Sequence, residues 1–336
     1  MTGNEPLLFS LQPHTQYGEK IAAALGIALC DYEDRRFEDG EHKARPLVSV
    51  RGRDVYVLQS LYGEPRESPD DKLCRLLFFI GTLKDAAAAS VTAVVPYLAY
   101  ARKDRRTQAR DPITIQYVAR LFEAVGTDRI VTLEVHNLAA YQNAFRCRTE
   151  HLDCRHLFIR HLLPLLVETG AAVVSPDAGG VKRAELFRTA LAAALGRPIP
   201  LAFMEKQRAL GVVSGELLTG DVAGRAAIII DDLISTGTTM LRAARACRNA
   251  GAGAVYAVAT HGLFVGDAGR VLDDPLFDAV VVTDTVPAFR LPEDLVRRKL
   301  TVLSTAPLVG EAIRRINANG SIIELLSDPA LPAFDV

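Results

Sequence analysis

The sequence predicts an α/β fold of two tandem domains, each a mostly parallel sheet flanked by helices. Three observations carry that prediction. Short β-branched runs alternate with alanine-rich helical stretches along almost the whole chain, the length of 336 residues suits two cores of roughly 150 residues each, and one strand-loop-helix-strand pattern occurs twice. In order, the spacing predicts a strand at 55–58, a helix over 70–89, a strand at 91–95, a helix over 112–124 and a strand at 129–133. The pattern resumes with a helix over 157–168, a strand at 172–174, a helix over 181–195, and strands near 199–203 and 226–230. A helix at 312–316 and a strand at 322–325 follow. Strands separated by helices imply crossover connections and a parallel sheet covered on both faces. The repeat joins 55–100 (VYVLQSL…AVVPYLAY) to 227–264 (AIIIDDLISTGTT…YAVATHGLF), and matches in pattern more than in letters.

Composition excludes several function classes. With 39 Lys+Arg against 40 Asp+Glu, no global field draws the chain to nucleic acid or to an anionic membrane, so an anionic ligand has to be held by local chemistry. No apolar run reaches the ~20 residues of a spanning helix, and the first residues lack a signal or transit pattern, so a soluble, cytoplasmic protein is expected. Cys30, Cys74, Cys147, Cys154 and Cys247 form no CxxC pair, as expected of reduced thiols. His151, His156 and His161 are spaced by five, which spreads them around a helix instead of stacking them as metal ligands.

The sharpest signal lies at 226–241. Ala226 to Ile230 read as a buried strand running into Asp231-Asp232 and then Ser235-Thr236-Gly237-Thr238-Thr239 at the start of a helix whose Met240, Ala243, Ala244 and Cys247 share one side, with Gly251 suited to its C-terminal cap. Ligands of open parallel sheets bind at the carboxyl ends of strands. Backbone N–H groups of a helix start, with the hydroxyls of Ser235, Thr236, Thr238 and Thr239, can surround a phosphate without a lysine, and Gly237 allows close approach. The two carboxylates suit vicinal sugar hydroxyls or the hydration shell of Mg²⁺. The plain alternative is a capped turn with solvated hydroxyls. No GxxxxGK[ST] occurs, and Gly251 and Gly253 follow a helix, so neither a Walker loop nor a dinucleotide fingerprint is supported. The string resembles the phosphoribosyl-binding loop of the type I phosphoribosyltransferase fold.

Four further segments carry chemistry. Arg36-Phe37-Glu38-Asp39-Gly40-Glu41 offers a ring and acceptors to an adenine, or is a β-turn closed by Asp39-Gly40. Arg102, Lys103, Arg105 and Arg106 end the 91–95 strand with cations fit for a triphosphate, or form a solvated charge run. His136 ends another strand in Glu134-Val135-His136, where a neutral imidazole can ligate a metal or be an ordinary polar residue. Asp177 in Ser175-Pro176-Asp177-Ala178-Gly179-Gly180, followed by Lys182-Arg183, again lies at a strand end.

In family order, with Thr260-His261-Gly262-Leu263-Phe264, these segments resemble those of the ribose-phosphate pyrophosphokinases, over about residues 8 to 325. The resemblance implies two phosphoribosyltransferase-like domains at 1–155 and 156–310, with 311–336 packing back on them. It also implies Mg²⁺, ATP and ribose 5-phosphate as substrates, no nucleic-acid or membrane partner, and a homo-oligomer from dimer to hexamer. Residue by residue it assigns ATP to Phe37, Asp39, Glu41, Arg102, Lys103 and Asp104, and ribose 5-phosphate to Asp177, Asp231, Asp232, Ser235, Thr236, Gly237, Thr238 and Thr239. The metal falls to His136 and Asp177, and catalysis to Lys206 and Arg208 on a mobile loop with Gly211, Gly215 and Gly220. Departures are Lys103 where the family has glutamine, Glu134 where it has aspartate, Arg105-Arg106-Thr107 for a more acidic stretch, and Asn137-Leu138-Ala139-Ala140-Tyr141 for a segment tied to phosphate and nucleotide control. They put that regulation and strict ATP preference in question. A phosphoribosyltransferase and a non-catalytic regulatory homologue are the alternatives.

Overall fold

The structure, a computed structural model, describes residues 5–12, 16–209 and 212–327, and the side chains of 206–209 and 212–216 lie outside that description. The chain divides into two compact units, one of residues up to Asp153 together with those from Thr305 onward, the other Cys154–Ser304.

The first unit runs β1 (Leu7–Ser10), α1 (Tyr17–Leu25), β2 (Tyr32–Arg36), β3 (His42–Pro46), β4 (Asp54–Leu58), α2 (Pro69–Asp85), β5 (Ser90–Val94), α3 (Thr114–Ala124), β6 (Arg129–Leu133), α4 (Leu138–Ala144) and β7 (Arg148–Leu152). Its main sheet has the order β1-β4-β5-β6-β7, every pair parallel. Val55, Val57, Val91, Ala93 and Ile130 are fully buried in it, as strands covered on both faces require. The helices stop and start on local chemistry. Ser68 caps α2 in a reciprocal pair with Asp71, with Pro69 at the first helical position, and Gly26 ends α1 in the left-handed region at φ 73°. Strands β2 and β3 form a separate antiparallel hairpin. It is held to α2 by side chains, with Tyr32 against Phe79 and His42 stacked on Phe78.

The second unit runs α5 (Arg155–Leu166), β8 (Gly170–Ser175), α6 (Val181–Leu195), β9 (Leu201–Ala209), β10 (Val212–Thr219), β11 (Arg225–Ile234), α7 (Thr238–Asn249), β12 (Ala254–Gly262), α8 (Ala268–Leu272), β13 (Ala279–Thr283), α9 (Glu293–Lys299) and β14 (Leu300–Leu303). Its seven strands take the order β10-β9-β8-β11-β12-β13-β14, antiparallel only at the β10 edge. Thus β4-α2-β5 and β11-α7-β12 are the same unit of two parallel strands and a crossover helix, as the internal repeat suggests.

The chain then enters α10 (Ala306–Asn317) and α11 (Ile322–Ser327). Helix α10 lies on α1, where the Tyr17 and Thr305 hydroxyls hydrogen-bond at 2.7 Å and Gly310 is so close to α1 that an added Cβ would sit 2.9 Å from that of Ala24. The strand expected at 322–325 is a helix instead. Two adjacent isoleucines suggested β structure, but Ile323 is exposed and Leu325 buried, the one-sided burial of a short helix docked on its neighbour.

Residues 201–219 also differ from what the sequence predicts. The sequence reading ends a strand at 203 and expects a loop; the backbone instead continues as β9 and returns as β10, with a register shift between Val213 and Glu216. Ala202 and Met204 are buried and anchor the start of β9, and β9 pairs with β8 from Leu201 to Phe203. Gly220 closes the return at φ 118°, and a Cβ there would lie 2.6 Å from the Ala202 Cα and the Leu201 carbonyl oxygen. Backbone cannot move aside as a flexible side chain can, so Gly220→Ala is expected to destabilise the second unit by at least about 2 kcal/mol. Denaturant unfolding checks this, and an unchanged midpoint contradicts it.

Candidate functional site

The second unit brings most of the ribose-side candidates to the carboxyl edge of its sheet. Pairing of β11 with β8 stops at Ile229 opposite Val174, while pairing with β12 continues to Ile234 opposite Gly262. Asp231 and Asp232 therefore lie within the strand, beyond the end near 230 that the sequence predicts. They flank the gap opened as β8 turns into the loop 176–180. That loop is tied by its own bonds: the Ser175 hydroxyl donates to the Asp177 carbonyl at 2.7 Å, and the Gly180 amide donates to Asp177 Oδ1 at 2.9 Å. From α6, Arg183 Nη1 reaches Asp231 Oδ1 at 3.0 Å and Asp232 Oδ1 at 3.3 Å. The Asp232 amide also donates to Asp231 Oδ1, at 2.9 Å. Burial, and next the neighbouring Asp232 charge, push the Asp231 carboxyl well above the ordinary carboxylate range, while Arg183 pulls it back.

Beyond the pair, the chain crosses Ser235, Thr236 and Gly237 into α7. Gly237 sits at φ 78° as the N-cap and makes no side-chain cap, and an added Cβ would press on Val271 at 3.0 Å. The first amides of α7 are therefore not capped by that residue, and the Thr236 and Thr238 hydroxyls meet at 3.1 Å beside them. The crossing is braced from below, since the Val265 amide donates to the Ser235 carbonyl and the Leu263 and Phe264 amides to that of Ile234. A twelve-residue helix start with clustered hydroxyls is chemically suited to a phosphate monoester.

The first unit carries the other candidates. Phe37, Asp39, Gly40 and Glu41 form the tip of the β2–β3 hairpin, closed by the Phe37 amide on the Glu41 carbonyl at 2.7 Å, with Asp39 Oδ1 accepting from the Glu41 amide at 3.1 Å. The Arg35 guanidinium lies 4.9 Å from the Phe37 ring centre. Arg102, Lys103 and Asp104 follow Tyr100, a non-glycine residue at φ 65°. Asn137, next to His136, donates to Asp104 Oδ2 at 2.8 Å, which joins the 102–104 segment to the segment after β6; Glu134 there has φ 35°. This link was not legible in the sequence.

Lys206 and Arg208 lie on the β9 backbone, opposite Glu216 and Val213, but their side chains are outside the described residues. A cavity of about 690 Å³ in the first unit is lined by Arg36, Gly40, Tyr62, Glu64, Lys72 and Arg75; it borders the hairpin tip at Gly40, but Phe37, Asp39, Glu41, Arg102, Lys103, Asp104 and His136 do not line it. Of its acidic groups, Glu64 is paired with Lys72, Asp34 and Glu67 with Arg75, and Asp71 accepts from the Ser68 amide and hydroxyl at the α2 cap. Among the described residues no three His, Cys, Asp or Glu side chains form a metal cage. Mg²⁺ itself uses one or two protein ligands and completes its shell with water and substrate phosphates. Asp177, a carboxylate at a strand end, is a donor of the right kind, and His136 lies in the other unit. No helix among the described residues is long and apolar enough to cross a membrane.

Comparison with known proteins adds three findings. Residues 7–126 match the family model of the N-terminal domain of ribose phosphate pyrophosphokinase, and 173–327 match the phosphoribosyl synthetase-associated domain. Among curated relatives, the ribose-phosphate pyrophosphokinase of Caldanaerobacter subterraneus subsp. tengcongensis is 38% identical over 96% of this chain and 98% of its own. That of Listeria ivanovii is 37% identical over 95% and 96%. A crystal structure of phosphoribosylpyrophosphate synthetase from Mycobacterium smegmatis, 34% identical, is similar with a TM-score of 0.83 over 94% of this chain and 100% of that one.

The carboxylate pair has a consequence for stability. Asp231 has a folded-state pKa above its unfolded value of about 3.9, so its ionisation opposes folding. The stability it contributes is fully present below the unfolded pKa and is lost as pH rises through the folded one. Asp231→Asn mimics the neutral carboxyl, and the free protein carrying it is expected to melt higher than the parent at pH 7, with the gain vanishing towards pH 3. Melting curves across pH test this; a variant less stable at every pH contradicts it.

Proposed function

The chain belongs to the ribose-phosphate pyrophosphokinase family, and we propose that it transfers the β,γ-diphosphate of ATP to O1 of ribose 5-phosphate, giving 5-phosphoribosyl 1-diphosphate and AMP. The observation that carries the reading is the β11–α7 passage, where two carboxylates stand directly before a helix start ringed by hydroxyls. A pentose phosphate has the matching chemistry, a diol for the acids and a dianion for the amides.

In this reading the anomeric hydroxyl attacks the β-phosphorus in line. The O1–Pβ bond forms, the bond from Pβ to the bridging α,β-oxygen breaks, AMP departs with that oxygen, and the hydroxyl proton is released. Charge spreads over phosphoryl oxygens, so positioning and cations do the catalytic work. Ser235, Thr236, Gly237, Thr238 and Thr239 hold the 5-phosphate, and Asp231 and Asp232 take the ribose hydroxyls. Phe37, Asp39 and Glu41 face adenine, and Arg102, Lys103 and Asp104 serve the ATP phosphates. His136 in the first unit and Asp177 in the second are each donors suited to Mg²⁺, which would neutralise phosphate charge when bound. Lys206 and Arg208 stabilise the transferring group. With the reading go a cytoplasmic location and assembly into a homo-oligomer.

The test is AMP formation from ATP and Mg²⁺ with and without ribose 5-phosphate. Ribose-dependent AMP is expected. A transferase would make none from these substrates, and a non-catalytic homologue would turn over neither; both outcomes overturn the proposal.

Two variant sets examine the assignments. Thr236→Val with Thr239→Val should weaken ribose 5-phosphate binding by roughly 1.5–3 kcal/mol for each lost charge-assisted bond while sparing ATP; equal losses for both substrates would remove the loop from the ribose side. Lys206→Ala and Arg208→Ala should each lower turnover by roughly 10²- to 10⁴-fold with little change in substrate affinity, as for a cation that meets charge only in the transition state. Parent-like turnover in the double variant sinks that assignment.

A further inference from the structure

One side chain outside every assignment above meets both carboxylates of the candidate ribose site. Arg183 is about four-fifths buried, and a single nitrogen, Nη1, lies within 3.3 Å of an oxygen of each acid. Asp231 Oδ1 is the hinge of the arrangement, since it accepts from Arg183 and from the Asp232 amide together. The guanidinium comes from the first turn of α6, immediately after the loop that carries Asp177. At Gly180 a Cβ would stand 2.8 Å from the Ser175 hydroxyl, so bare backbone is what lets the 176–180 loop fold back on the end of β8, with Arg183 Nη1 at ordinary contact distance.

Two consecutive acids need a cation to remain charged side by side, but a cation anywhere nearby would supply that. The observed geometry does more, because one donor atom shared between the carboxylates fixes how each is turned about its own axis. Asp232 is only 4% exposed, and in such surroundings a charge-assisted bond is stiffer and stronger than in water.

Resting on the ribose-phosphate reading above, we propose that Arg183 is a positioning residue for the sugar: it pre-orients Asp231 and Asp232 so that a vicinal diol meets aligned acceptors. Arg183 does not itself touch the phosphates. Removing it leaves the acids in place but free to turn, and the loss falls on pentose binding instead of on ATP or on the chemical step.

The experiment is calorimetric titration of ribose 5-phosphate, without nucleotide, into the full chain and into Arg183→Met, Arg183→Gln and Arg183→Lys, followed by steady-state kinetics. The Met and Gln variants should bind ribose 5-phosphate roughly 10- to 100-fold more weakly, the range of one to two charge-assisted bonds, with the KM for ATP within about twofold of the parent. Arg183→Lys should recover most of the loss, because one nitrogen makes both contacts and a single ammonium can replace it. In an Asp231→Asn background, Arg183→Gln should cost at least about threefold less than in the parent, since half of what it positions is gone.

Variants that melt lower but bind ribose 5-phosphate as the parent does would show a structural counter-ion and overturn the proposal. So would an equal rise in both KM values, the mark of a direct phosphate ligand, and so would full additivity with Asp231→Asn. If Arg183→Met fails to fold, Arg183→Gln carries the same test with a polar side chain. A parent protein that binds no ribose 5-phosphate at all brings down the functional reading itself, which is distinguishable from parent-like binding in the variants.

Discussion

The constraint on which the candidate site depends is the departure of one strand from its neighbour. Strands β8 and β11 are bonded side by side up to Val174 and Ile229, and then β8 turns away while β11 continues against β12. Open α/β sheets bind ligands where strands part at their carboxyl ends, and here the parting falls directly before two consecutive aspartates. Because α6 follows β8 without delay, the first turn of that helix delivers Arg183 into the opening, and the loop between supplies Asp177. Strand order thus gathers groups from two separate crossovers around one point, without any residue having to reach far.

Much of the fold was legible because burial is uniform where the sequence is apolar. The strands at 55–58 and 129–133 and the helix at 181–195 were read within a residue, since valine, isoleucine and leucine runs on fully covered strands leave little ambiguity. Strand β7, Arg-Thr-Glu-His-Leu at the sheet edge, gives no such run and was not read at all. The hairpin at 201–219 was hidden by charged residues and glycines that resemble a loop, and Ile322-Ile323 suggested the wrong period because two residues cannot distinguish one from the other.

The candidate site was legible where its chemistry is contiguous. Asp231 to Thr239 form one string whose order already implies acids, then hydroxyls, then a helix start, and the structure adds only that the acids belong to the strand. Contacts between distant segments left no such trace. Nothing local to Arg183 indicates that it meets both acids, and nothing local to Asn137 indicates that it donates to Asp104. Such pairs depend on strand order, which periodicity does not encode. Burial, and the same closeness that joins the two acids to Arg183, raise the Asp231 pKa, so its ionisation opposes folding.

The β2–β3 hairpin has a different kind of consequence. Its ladder is its own, and among the described residues the main chain of 32–46 makes no bond to the five-stranded sheet. Aromatic contacts with α2 and the Arg75–Asp34 ion pair attach it instead. Mutations at its tip therefore leave the hydrogen-bonding of the core untouched, and selection can rewrite residues 37–41 at little cost to folding. Under the proposed function, a change of nucleotide preference made at Phe37, Asp39 or Glu41 would require no rearrangement of the hydrogen bonds of the five-stranded sheet.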